Sequence, residues 1–145
     1  MLSENVRKLA PFRLSQADDA VRAAHLLLDQ GLLRDAVNRS YYGMFYAVLA
    51  LLVTKKSGTS KHRGAIMLFD REFIRTGIFD REMSYWLHEA FEVRLDADYA
   101  ELADLPQEDA QRILEHAEIF ISRVKAYLAL LLAEPSEANG SEGPK

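Results

Sequence analysis

At 145 residues, 49% of them apolar and 28% charged, the chain is long enough and hydrophobic enough to bury one core without disulfide or metal staples. The absence of cysteine excludes disulfide frameworks, cysteine-ligated zinc or iron–sulfur sites and a thiol nucleophile, and it fits a reducing cytoplasm. A net charge of −4 speaks against a general nucleic-acid binder, which gains most of its affinity by neutralising phosphates, and leaves that role only to a local basic surface.

The first residues, Met1 to Lys8, carry no apolar stretch behind a basic region, so no export signal is expected and the protein is expected to remain in the cytoplasm. A first helix is predicted to run to about Gln30, with Ala17, Ala20, Val21, Ala24, Leu27 and Leu28 on one stripe and Gly31 as its stop. Pro11 is expected to begin this helix or to kink its start. The second helix, about Arg34 to Thr54, is apolar all round after Arg39. A helix without a polar face must be surrounded by protein, so this one is predicted to be the centre of a bundle. Its uncharged run, Tyr41 to Val53, is shorter than the roughly 20 residues that span a bilayer, so no membrane span is expected.

Lys55 to Lys61 reads as a loop. Ile66, Phe69, Phe73 and Ile74 mark a short third helix that fails near Gly77. A fourth helix starts near Asp80, a plausible N-cap, and buries Met83, Leu87, Ala90 and Phe91. The fifth opens at Leu105-Pro106, with Pro106 at the first helical position and Glu108 and Asp109 near the positive end of the helix dipole. Ala110, Ile113, Leu114, Ala117, Phe120, Ile121, Val124, Leu128 and Leu131 then keep helical spacing. No alternating β-branched run intervenes, so the fold class is all-α. Residues 1–133 are expected to form a single domain, and the polar, breaker-rich residues 134–145 a disordered tail.

Neither Glu-x-x-His pairs for a di-iron bundle, nor a Gly-rich phosphate loop, nor a Gly-x-Ser-x-Gly elbow is present. His88 and Glu92, one turn apart, could share a metal, but the pair reads as solvent-facing, and no metal or other cofactor is expected. Asn38 to Tyr46 is the distinctive segment. Asn38, Tyr42 and Tyr46 either line a polar pocket or cap the core with their hydroxyls at its rim, and Gly43 inside the helix marks a close helix approach. Arg94 follows Leu87, Ala90 and Phe91 in the apolar register and so points toward a seam, where a buried cation needs a partner. Asp98, one turn on, can provide it with Tyr99 alongside, as a structural ion pair or as part of a site. Lys55, Lys56, Lys61, His62, Arg63, Arg71, Arg75 and Arg81 make a segment richer in bases than acids: a solvated loop, or a positive face for RNA or a nucleotide phosphate. His62 can also simply serve the chain turn before Arg63.

Taken together, Asp35 to Val48, Ser60-Lys-His-Arg-Gly64, Phe73-Ile-Arg-Thr-Gly77 and Arg94-Leu-Asp-Ala-Asp-Tyr99 resemble the HEPN domain family over most of Ala17 to Leu132. The resemblance implies an up-and-down bundle of four or five helices, a homodimer, and pairing with a minimal nucleotidyltransferase as toxin and antitoxin. It implies RNA or nucleotide binding in a dimer cleft, with Arg94, Asp98 and Tyr99 as the catalytic candidates and Asn38, Arg39, Tyr42, Tyr46, His62 and Arg63 as the binding ones. Many family members are similar to metal-independent ribonucleases with an Arg-x4-6-His motif, the Arg acting on phosphate and the His on the 2′-hydroxyl or the leaving oxygen. Arg94 matches that arginine, but no histidine follows within the window, which puts the cleavage in doubt. Arg81 and His88 have the bare spacing yet lie too early and read as a coincidence. Tyr99 loosely resembles a tyrosine modified by partner nucleotidyltransferases. The remaining alternative is an interaction bundle without catalysis.

Overall fold

The structure, a computed structural model, describes residues 2–56, 61–99 and 104–134, and the side chains of all of these but Asp98 and Tyr99. Asp98 and Tyr99 as candidate catalytic groups, the Ser60 end of one family segment and the predicted disordered tail beyond Glu134 therefore lie outside the described residues.

Five α-helices follow one another: α1 (Glu4–Asp29), α2 (Leu33–Thr54), α3 (His62–Phe69), α4 (Arg81–Tyr99) and α5 (Gln107–Leu132). Among the described residues there is no strand, and the chain is an all-α bundle, as expected. No helix among them is long and apolar enough to cross a membrane.

The α2 helix is the centre, and α1, α3, α4 and α5 all pack on it. The reason lies in its composition: Val37, Tyr41, Met44, Phe45, Val48, Leu51 and Leu52 are buried along one face, and the small residues Ala36, Ser40, Gly43, Ala47 and Ala50 are buried on the adjoining face, where neighbouring helices come close. Gly43 is where three helices converge. A Cβ there would stand 3.0 Å from Val21 Cγ2 of α1 and 3.2 Å from Ile121 Cδ1 of α5. Val21 is β-branched and cannot turn away cheaply. Gly43→Ala is therefore expected to lower stability by about 1 kcal/mol, because overpacking of roughly 1–3 kcal/mol exceeds the helix-propensity gain of about 1 kcal/mol. A urea melt measures this, and an unchanged or raised midpoint would show that α1 yields.

Helix ends follow local chemistry. Ser3 caps α1, its hydroxyl accepting from the Val6 amide at 3.3 Å. Pro11 lies inside α1 rather than beginning it, so the cap at Ser3 begins the helix, and the ring removes the donor that the Arg7 carbonyl would have had. At the other end Gly31 takes φ +76°, with its amide on Leu28 O and that of Leu32 on Leu27 O, a pair of bonds that closes the helix and turns the chain into α2. Pro106, by contrast, stands one position before the place expected of it. Its ψ of 143° is extended, so it caps α5, which begins at Gln107. The Arg7 guanidinium donates to Leu132 O at 2.6 Å and to Glu134 O, joining the start of α1 to the carbonyls that α5 leaves open at its end.

The third helix differs most from its expected form. After Phe69 it continues as a π-helical turn over Asp70–Ile74, with the Arg75 amide bonded to Asp70 O at 2.9 Å. Phe69 and Phe73 stay in the core, stacked at 6.1 Å, and Gly77 (φ +79°) turns the chain toward α4. Asp70 meets α4, accepting from Ser84 Oγ at 2.6 Å and pairing with His88 Nε2 at 2.8 Å. His88 thus braces the π turn instead of forming a simple solvent-facing pair with Glu92.

Candidate functional site

One end of the bundle gathers the aromatic segment of α2, the first turn of α3 and the last turns of α4. Tyr41 lies in the apolar register of α2 with Val37 and Phe45 and is fully buried. A phenol there must find a hydrogen-bond partner. It finds His62, the first residue of α3, whose Nδ1 is 2.7 Å from the Tyr41 hydroxyl. The imidazole lies flat on Phe45, centroids 4.3 Å apart, with the edge of Tyr42 at 5.5 Å.

Arg94 reaches the same rings from α4. Its guanidinium carbon is 4.9 Å from the Tyr41 centroid, 5.5 Å from Phe91 and 5.8 Å from Tyr42. The partner that a half-buried cation requires is thus a set of aromatic faces. Its Nε is buried with no hydrogen-bond partner among the described residues. Arg39 covers the Tyr42 ring at 4.8 Å, and Arg63 covers Phe91 at 5.0 Å. Three guanidiniums and an imidazole therefore surround one box of rings.

The electrostatics follow from burial. Desolvation raises the Tyr41 phenol well above its ordinary value, outweighing the opposing pull of Arg94. Desolvation, and then the Arg94 charge, lower the pKa of His62, so the ring is neutral at neutral pH. A neutral imidazole has one bare nitrogen and one N–H, and the protonated Tyr41 hydroxyl can serve either arrangement. It donates to a bare Nδ1, leaving Nε2–H as a donor, or accepts from Nδ1–H, leaving Nε2 as a base. Such a box can hold a phosphate on guanidiniums, stack a base on an aromatic face and move a proton at His62 Nε2.

Of the sequence-predicted residues, the structure brings together Arg39, Tyr42, His62, Arg63 and Arg94. Tyr46 lies at the margin, its ring 5.9 Å from that of Tyr42, and Asn38 makes only a long contact, 3.4 Å, with Arg39 Nε. Two participants escaped the sequence reading. Tyr41 was passed over for its neighbours, although its place in the buried register was the signal for a phenol in need of a partner. The pairing of His62 with Arg94 was missed because a histidine was sought after the arginine, whereas it arrives from another helix.

The sequence profile of the HEPN domain matches residues 10–127. A protein of Methanocaldococcus jannaschii named "putative toxin" is 36% identical over 115 residues, covering 79% of this chain and 78% of its own. A second "putative toxin" of that organism is 32% identical over 133 residues, 91% of this chain and 98% of its own. A Thermotoga maritima protein named UPF0332 is 36% identical over 118 residues, 81% and 89% of the two chains. These matches span the helices that build the ring box, and the chain belongs to the HEPN domain family.

Proposed function

We propose that this chain is the toxin-like member of a pair with a minimal nucleotidyltransferase, and that it binds RNA or a nucleotide in a cleft between two copies. Residues 1–133 act in this reading as one cytoplasmic domain. The observation that carries it is the meeting of the Arg94 guanidinium and the His62 imidazole on the Tyr41 ring. Among the described residues these guanidiniums face aromatic rings and pair with no carboxylate, which keeps hydrogen-bond donors for phosphate. The half-buried rings of Tyr42 and Tyr46 beside them suit unstacked bases. The names of two relatives support the toxin class.

A second reading, a metal-independent endoribonuclease, is favoured by His62 itself. It supplies the imidazole that the Arg-x4-6-His spacing lacks, with Arg94 to stabilise charge on the phosphate and His62 Nε2 to take the 2′-hydroxyl proton. The test has two arms. Purified wild type is titrated against a labelled single-stranded RNA at fixed salt, and a saturable complex is expected. The chain is also expressed alone, and growth arrest with RNA cleavage supports the ribonuclease. A harmless chain that binds but does not cleave RNA supports binding alone. A chain that retains neither RNA nor mononucleotide sinks both readings and leaves an interaction bundle.

A further inference from the structure

The two arrangements open to the Tyr41–His62 pair are not equivalent. Tyr41 is fully buried, and its 2.7 Å contact with His62 Nδ1 is the only hydrogen bond that its hydroxyl makes among the described residues. The α2 carbonyls around it are taken up by the helix itself. Buried donors are left unpaired more rarely than buried acceptors, so the hydroxyl hydrogen decides the matter. If Nδ1 carried a proton, that N–H would point at the phenol oxygen and the hydroxyl hydrogen would have no acceptor. With Nδ1 bare, the hydroxyl donates to it and both buried atoms are satisfied. The Arg94 guanidinium, 4.9 Å from the Tyr41 centroid, acts in the same direction: its charge opposes the imidazolium, in which both ring nitrogens carry hydrogen.

The other nitrogen, Nε2, makes no hydrogen bond among the described residues and is not enclosed in the way that Arg94 Nε is. It opens at the mouth of the box and holds the ring's hydrogen. Arg39, Arg63 and Arg94 stand on the rings of the same box, and none of them pairs with a carboxylate among the described residues. All four groups are then donors, and a site of donors suits the oxygens of a phosphate.

Resting on RNA or a nucleotide as the ligand of the ring box, we infer that Tyr41 is a positioning residue that locks His62 as the Nε2–H tautomer. His62 then donates a hydrogen bond to a phosphate oxygen and is not the base that deprotonates a 2′-hydroxyl. Phe45, stacked 4.3 Å from the imidazole, sets the plane of the ring, and Tyr41 sets which nitrogen is bare. Of the two readings above, this favours binding over cleavage.

Nitrogen-15 NMR of the full chain, labelled at histidine and held at neutral pH, reads the tautomer. His62 should appear as a single form with Nδ1 bare and Nε2 protonated, and the Nδ1–H form should emerge in Tyr41→Phe. An Nδ1–H form in the wild type, or a Tyr41→Phe spectrum identical to it, overturns the inference; should that variant not fold, the wild-type spectrum still decides. His62→Gln supplies the functional arm, because its amide keeps an N–H donor but offers no base. It should bind labelled single-stranded RNA within about threefold of the wild type, whereas His62→Ala should lose about tenfold. A His62→Gln variant as weak as His62→Ala overturns the donor role. A wild type that holds neither RNA nor mononucleotide sinks the proposed function, while a locked Nε2–H form in that same protein keeps the role of Tyr41.

Discussion

Arg94→Ala is expected to lower RNA affinity at least tenfold, about 1.4 kcal/mol, with a change in stability of no more than about 1 kcal/mol. The asymmetry follows from how the side chain is held. Its stabilising contacts are three ring faces, and against them stands a buried Nε that donates to nothing among the described residues, so its net contribution to folding is small. Its contribution to a bound phosphate is large, because the guanidinium is already oriented by the rings. Arg94→Lys should recover little, since an ammonium cannot lie flat on Tyr41 and Phe91 while presenting paired donors. The measurement is filter binding over a range of salt, in which losing one phosphate contact flattens the logarithmic salt slope by about 0.7 for a single strand. Unchanged affinity and slope in a folded variant would make Arg94 a brace of the α2–α4 seam.

How far the sequence reached depended on the range of the interactions concerned. The centrality of α2 was legible because it follows from composition alone: after Arg39 no face of the helix suits water. Gly43 was legible for a similar reason, as a helix-weakening residue is tolerated where neighbours come too close for a Cβ. Pro106 was misplaced by an ambiguity of proline itself, which suits either the first turn or a cap, and only the neighbouring hydrogen bonds decide; the same ambiguity left Pro11 either beginning α1 or within its early turns, and it lies within them. The π turn at Asp70–Ile74 was not legible, because its cause is tertiary: Ser84 and His88 of α4 claim the Asp70 carboxylate. The site divides in the same way. Arg94 declared itself by standing in an apolar register, but a linear motif could not show that its imidazole neighbour comes from the first turn of α3.

His62→Ala should lower RNA cleavage by about 10² or more, the usual worth of a positioned acid–base group, and the pH dependence of the wild type tells whether His62 acts as a base or as a ligand. Because burial and Arg94 both lower its pKa, the ring is neutral at pH 7, and it charges only below the ordinary histidine value of about 6.5. If Nε2 takes a proton from the 2′-hydroxyl, cleavage falls as pH drops through that lowered pKa and is level around neutrality. If His62 only binds phosphate, RNA affinity instead rises over the same interval as the imidazolium forms. Stability has a fixed sign in either case. The unfolded histidine takes up its proton at higher pH than the folded one, so the stabilisation is complete above about pH 6.5 and is lost as pH falls toward the folded value. His116, lowered by burial beneath Trp86, contributes in the same direction, so His62→Gln should reduce the acid loss without abolishing it. Titration of the imidazole protons by NMR isolates His62 directly. Its midpoint should lie below 6.5 in the wild type and move upward in Arg94→Ala, while remaining low, because burial, the larger cause, is still in place. A midpoint that ignores Arg94 would mean that the two groups do not share a site, and the ring box would lose its claim to chemistry.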